Sequence, residues 1–319
     1  MALPSAEDND AATWLVAANK LAFVSSAGSP VVAYDGKTEG SAWAWNDKCA
    51  VPPVLAGSGL AIVTTDSLIL VDQVTGQAKW RVPVEGSGPP VEAFGSADRI
   101  AIAFSGGIQA WDASGKPTWR ASFGGSPITN LVMAGGLLVF GTDQPALIAV
   151  DASSGTVRWT IPLASKPRAL AATVERIYFG GEDGKLYSYP TDGKSKPWVQ
   201  NRILAIGPAA GDAKAVYFAL LDNSVRAFSA NHGPEQWDQP VESRPVTGPM
   251  RFGENLAVAL TDGRVVELET KKGKPVSPKT DAGPAMRLLT AAVSSDGTRI
   301  YTVTIDGKKS LALVAWSKR

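Results

Sequence analysis

The sequence predicts an all-β fold: an eight-bladed β-propeller of four-stranded antiparallel blades, with a seven-bladed ring as the alternative count. Three observations predict it. The 319-residue chain resembles itself at a spacing of about 40 residues, and a fixed period of that size marks stacked supersecondary units. Each copy consists of short β-rich runs separated by turn residues at roughly 8- to 12-residue intervals, the pattern of all-β architectures. No segment sustains the 3.6-residue periodicity that a helical solenoid requires.

Tryptophan marks the period. Trp80, Trp119, Trp159, Trp198 and Trp237 are 39, 40, 39 and 39 residues apart. Ser277 occupies the next slot, and the Trp43/Trp45 pair lies in the corresponding region of the first copy. The copies open near Trp14, Val51, Val91, Thr129, Ala169, Ile206, Met250 and Leu288. In the first, TWLVAANKLAFVSS aligns without a gap on TNLVMAGGLLVFGT of the fourth, and the second contains GLAIVTTDSLILVDQVTGQAKWRVPV from Gly59. In the fourth copy Asn130–Met133 reads as a short first strand and Gly135-Gly136 as a tight turn open to positive φ. Leu137–Gly141 and Ala146–Val150 are the second and third strands, joined by the turn residues Thr142 to Pro145. Asp151 to Gly155 turns again, and Thr156–Ile161 alternates as an outer strand.

The eighth copy ends at Leu311–Trp316 without a fourth strand. Leu3-Pro4 resembles the tails of other fourth strands, Val82-Pro83, Ile161-Pro162 and Gln239-Pro240. Residues 1–11 are therefore expected to form an N-terminal tail or the stub of a strand that seals the ring, as propellers seal their seams. Residues 1–319 read as one propeller domain.

Charge and composition narrow the function. With 31 basic and 30 acidic residues, the chain lacks the basic excess of a nucleic-acid surface. One cysteine, Cys49, and one histidine, His232, cannot build an intramolecular disulfide or a Cys/His metal cluster. Each reads as structural: Cys49 as a packed small residue and His232 as a turn residue. No run reaches the ~18–20 apolar residues of a membrane-spanning helix. Met1 to Asp8 carries neither the basic nor the apolar region of a signal peptide.

Aspartates recur at two places. Asp66, Asp143, Asp183, Asp222, Asp262 and Asp306 stand at the second-to-third strand hairpin. They would form an acidic ring on one face, but turn chemistry is the stronger reading, since Asp-Gly and Asp-Asn suit two-residue hairpins. Asp35, Asp72, Asp112 and Asp151 precede the third turn and are expected to accept bonds from amides two residues on. The repeat tryptophans read as packing between blades. Trp14, Trp111 and Trp316 stand off the repeat slot and are the better candidates for a surface or channel role. Glu92, Asn130, Arg168, Arg251 and Arg287 fall in or beside innermost strands and are the candidate partner contacts, Arg being enriched in binding hot spots. Their orientation depends on strand register, because a one-residue slip turns a side chain away.

The signature Asp-x3-Gly-x3-Trp recurs at Asp72/Gly76/Trp80 and Asp151/Gly155/Trp159, with a shorter version at Asp112/Gly115/Trp119 and a half at Gly233/Trp237. This resembles the pyrroloquinoline-quinone-type propeller repeat of quinoprotein dehydrogenases and of the propeller lipoproteins of outer-membrane barrel assembly. The resemblance covers nearly the whole chain and speaks for fold more than function. It implies two opposed activities. Quinoprotein dehydrogenases hold a quinone and calcium at the axis with a tryptophan floor and Glu, Asn and Asp ligands. Their adjacent cysteines and haem motif are absent from this sequence, and its inter-blade turns are minimal.

The function expected is therefore a non-catalytic scaffold, with no cofactor, that binds a protein or peptide through one face or the axial funnel. The alternatives are a small quinoprotein-like enzyme that binds the quinone or a sugar, and a sensor domain of a larger membrane-anchored protein. The resemblance places the chain in the periplasm or at the cell surface if an export signal has been removed, and otherwise in the cytoplasm.

Overall fold

A computed structural model describes residues 13–36, 40–86, 88–201, 204–276, 280–281, 286–306 and 310–317. Among them the chain forms eight antiparallel sheets in succession, seven of four strands and the last of three. Within each sheet, strands that follow one another in sequence are neighbours. The innermost strands are β1 (Thr13–Ala18), β5 (Val54–Ala56), β9 (Glu92–Gly95), β13 (Val132–Ala134), β17 (Pro167–Ala172), β21 (Ala210–Gly211), β25 (Met250–Phe252) and β29 (Arg287–Val293). This is the eight-bladed propeller that the repeat predicts. The proposed seal, Leu3-Pro4, and the Ser277 slot lie outside the described residues.

Burial explains the sequence pattern. Second and third strands are covered on both sides by neighbouring blades, so β6 (Gly59–Val63), β18 (Arg176–Gly181) and β22 (Ala215–Leu220) are buried throughout. Outer strands have one wet side and alternate, as β8 (Ala78–Pro83) and β16 (Val157–Pro162) do. The core is accordingly a series of clusters between blades. One unites Ile100, Ile102 and Trp111 with Leu68 and Leu70 of the preceding blade. Another joins Tyr301 and Val303 of the last blade to Ala17, Ala22 and Tyr34 of the first. That second cluster closes the ring, since burying apolar faces between neighbours is what stabilises repeat units that are too small to fold alone.

The Asp-Gly-Trp signature is a latch between blades. Trp119, on β12 (Pro117–Ser122), donates its indole Nε1–H to the Ala152 carbonyl of the next blade at 2.9 Å. Its ring lies on Gly155, which has φ +72°; a Cβ there would stand 2.5 Å from Trp119 Cε3. Glycine is thus required by both backbone and contact. Asp151 shapes the same turn by accepting from the amides of Ser153 and Ser154 at 3.0 and 3.1 Å. Equivalent indole bonds run from Trp43 to Gln73, Trp80 to Ala113, Trp159 to Thr191, Trp198 to Ala230 and Trp237 to Thr270. Asp72, Asp112 and Asp192 build their turns in the same manner.

Two local readings shift. The fourth inner strand begins at Val132 rather than Asn130, because the chain first bridges Pro127 to Thr142 and then bulges. Blades 6 and 7 repeat this with the bridges Ala205–Leu220 and Pro245–Leu260. Trp111 is no surface or channel residue: it is 1% exposed, on β11 (Gly107–Asp112) opposite Ile100, and fills the gap between blades 2 and 3. Trp316 is half-buried and donates to Thr302 Oγ1 at 3.3 Å. Of the three off-slot tryptophans, Trp14 alone lines the axial channel.

Candidate functional site: the connection face

Each inner strand starts on the face that carries the blade-to-blade connections and the second-to-third strand hairpins. The axial channel opens on this connection face. Its cavity of about 920 Å³ takes residues from all eight blades, among them Trp14, Pro52, Glu92, Asn130, Arg168, Pro208, Thr247 and Thr290.

The candidate contacts are placed differently. Glu92 opens β9 at the channel wall, half-buried, and its Oε1 accepts from the Ala93 amide at 3.0 Å. Burial away from water pushes its carboxyl up to about 7, only partly offset by that amide bond. Asn130 lines the same channel, but its amide is engaged: Nδ2 donates to the Leu170 carbonyl at 3.0 Å and Oδ1 accepts from the Leu170 amide at 2.8 Å. It pins the bulge of blade 4 to the inner strand of blade 5. Arg168 is exposed at the channel mouth, and Arg287 is exposed in an adjoining pocket. Arg251 does not join them. It lies at the other end of its inner strand, beside the hairpin on the opposite face, 3.4 Å from Asp212 Oδ2.

The adjoining pocket, of about 370 Å³, spans the connection-face ends of blades 5 to 8. Arg168, Arg244 and Arg287 frame it, over walls that include Ile206, Leu221, Val246 and Leu289. Among the described residues, none of these three guanidinium groups has a hydrogen-bond or ion-pair partner. Other exposed or half-buried arginines do: Arg81 with Asp47, Arg120 with Glu85, Arg158 with Asp151, Arg226 with Asp222 and Arg264 with Asp262. The groove of about 730 Å³ on the opposite face has its arginines engaged, Arg158 by Asp151 and Arg99 by the Ala152 carbonyl.

Sequence reasoning missed Arg244, although a signal existed. The Thr261 amide bonds the Arg244 carbonyl at 2.8 Å as the Glu182 amide bonds that of Lys166 at 3.0 Å. Arg244-Pro245 is therefore in register with Lys166-Pro167, and aligning the two dipeptides would have exposed a recurring cation at this slot. The hairpin aspartates sit on this face and bond groups at or beside their turns, Asp143 reaching the preceding connection. Asp143 accepts from the Ser126 amide at 2.7 Å, Asp183 from Tyr187 Oη at 2.7 Å, and Asp222 from Arg226 at 2.7 Å. Cys49 is buried, which pushes its thiol up, and His232 is exposed.

The channel does not fit a calcium–quinone site. Asn130, the one asparagine in its described lining, spends both ends of its amide on Leu170. Glu92 accepts the Ala93 amide on Oε1, so part of its acceptor capacity is already spent on its own strand. Among the described residues no group of three or more His, Cys, Asp or Glu is placed to hold a metal ion. No helix among the described residues is long and apolar enough to cross a membrane.

Ring, latch and connection face define a propeller of the quinoprotein-type repeat class. The family described as "Outer membrane protein assembly factor BamB" matches residues 65–198, 104–248 and 174–318 in overlapping segments, and the chain belongs to it. The factor from Bordetella pertussis is 26% identical over 284 residues, 81% of this chain and 70% of that protein. That from Burkholderia pseudomallei is 24% identical over 214 residues, 60% of this chain and 56% of the relative. Among solved structures, BamB of Moraxella catarrhalis superposes with a TM-score of 0.69 at 20% identity, covering 100% of this chain and 99% of that one. The computationally designed Ika8 gives 0.77 at 14% identity with 98% of both chains covered, and Saccharomyces cerevisiae Sqt1 gives 0.77 at 10% with full coverage of both. These structural likenesses speak for the fold alone.

Proposed function

We propose that the protein is a non-catalytic scaffold of the bacterial cell envelope that binds a protein partner in outer-membrane protein assembly, through its connection face. One observation carries this reading: within a family named for that assembly, the connection face gathers arginines that have no partner among the described residues around a recessed pocket. Rigid blades support that surface, so little ordering cost attends binding. Periplasmic work, after removal of any export signal, follows from the same reading.

The test is complementation. The chain, fused to an export signal and an affinity tag, is expressed in a bacterium lacking its own BamB-family protein. Restored porin levels and co-purification of the outer-membrane assembly machinery are expected. A folded, exported chain that does neither would overturn the proposal.

A further inference from the structure

We infer that the pocket framed by Arg168, Arg244 and Arg287 anchors an acidic segment of a partner protein, with a carboxylate on the guanidinium groups and an adjacent apolar side chain against the wall. The inference rests on the scaffold reading above and names the chemistry of its contact. Three like charges from blades 5, 7 and 8 border one pocket of about 370 Å³ whose described lining contains no acidic residue. Such an arrangement raises the local potential for an incoming anion. Guanidinium is the group suited to it, being permanently charged and able to bind a carboxylate in bidentate fashion.

The walls select further. Ile206, Leu221, Val246, Leu288 and Leu289 give the pocket an apolar lining that a simple inorganic anion would leave unused. The volume lies near the lower end of ligand pockets, roughly 300–1,000 Å³, enough for one or two side chains. A long polyanion is disfavoured by its surroundings. Arg168 also borders the axial channel, whose lining includes Glu92 and Glu182. A phosphate chain laid across the face would meet the Glu182 carboxylate, and the sequence as a whole has no basic excess, 31 cations against 30 anions. A short ligand with one or two carboxylates next to an apolar residue avoids that repulsion.

The test uses the full chain and a fluorescein-labelled peptide Gly-Ser-Asp-Leu-Phe with a free carboxyl terminus. Its neutral analogue carries Asn for Asp and an amidated end. Fluorescence anisotropy is expected to show saturable binding of the acidic peptide, weaker by about tenfold or more for the neutral one. The triple variant R168Q/R244Q/R287Q is expected to lose binding to the same degree with an unchanged melting temperature, because all three side chains are exposed. Equal binding by variant and wild type, or no saturable binding to wild type, would overturn the inference. So would arginine-dependent capture of phosphatidylglycerol vesicles without peptide binding, which would make the face a lipid site. The complementation assay separates the two claims. A triple variant that complements like wild type removes the arginine pocket and leaves the scaffold, whereas a wild type that fails to complement removes the scaffold whatever the peptide does.

Discussion

Trp119 and Ala152 are joined across a blade boundary by an indole hydrogen bond of 2.9 Å, and Arg99 of the same blade donates to the same carbonyl. The tryptophan period of the sequence is therefore not a row of binding platforms but a row of fasteners. Removing the ring by Trp119→Ala should cost about 3–5 kcal/mol, the usual range for a large aromatic lost from a core. Trp119→Phe should cost less, about 1–2 kcal/mol, since Arg99 still serves the carbonyl. Urea unfolding monitored by circular dichroism orders the two, and equal small losses would contradict the latch.

Gly155→Ala should destabilise although it adds only a methyl group. The residue has φ +72° and the new Cβ would meet the Trp119 ring at 2.5 Å. The left-handed backbone alone costs roughly 1–2 kcal/mol for a non-glycine residue. The effect should shrink in a Trp119→Ala background, where the contact is gone. A double-mutant cycle measures this coupling.

Asn130→Ala should cost about 1–3 kcal/mol, because it leaves both the amide and the carbonyl of Leu170 without their partner. Thermal or urea unfolding checks the loss. An unchanged stability would return Asn130 to the list of free channel contacts.

Glu92 should make stability fall with rising pH. The native carboxyl holds its proton to about 7, above its ordinary value of 4.5. Between those values the folded state binds more protons than the unfolded one, so this group's contribution is full below pH 4.5 and lost as pH rises through 7. Glu92→Gln should therefore match wild type at pH 4 and melt higher at pH 8. Melting curves of the pair across that range test it, and parallel curves would place Glu92 in ordinary solvent.

The last blade should be the weakest part of the ring. Six indole latches tie blades 1 to 7, whereas Ser277 stands where the seventh tryptophan would be. Blade 8 meets blade 1 through Tyr301, Val303 and their neighbours. Hydrogen exchange by mass spectrometry should show β30 (Arg299–Ile305) losing protection before β14 (Leu137–Thr142). The reverse order would mean that the latches contribute little.

The fold was legible because a blade repeats its physics: Trp80, Trp119 and Trp159 each meet the same kind of turn one blade on. Turn aspartates such as Asp151 were readable for the same reason, since their bonds stay within a few residues. The site was only partly legible. Glu92, Asn130, Arg168 and Arg287 do lie on the connection face, but nothing local distinguishes Asn130, which is consumed by Leu170 of the next blade, from a free contact. Arg251 does lie in an innermost strand, but beside the opposite face, and its partner Asp212 belongs to another blade. Arg244 was hidden by the bulge that separates the Pro245 bridge from β25. What the linear pattern does not encode is the unrepeated contact between blades, such as Asn130 with Leu170 or Arg251 with Asp212.

The most direct test of the scaffold claim is site-specific photocrosslinking in living cells, with benzoyl-phenylalanine placed in turn at Ile128 and at Val174. Ile128 is 45% exposed at the channel mouth on the connection face, and Val174 is 75% exposed on the opposite face. Adducts with outer-membrane assembly proteins from Ile128 and none from Val174 are the expected result. Adducts from Val174 alone, or from neither position in a chain that folds and is exported, would contradict binding through the connection face.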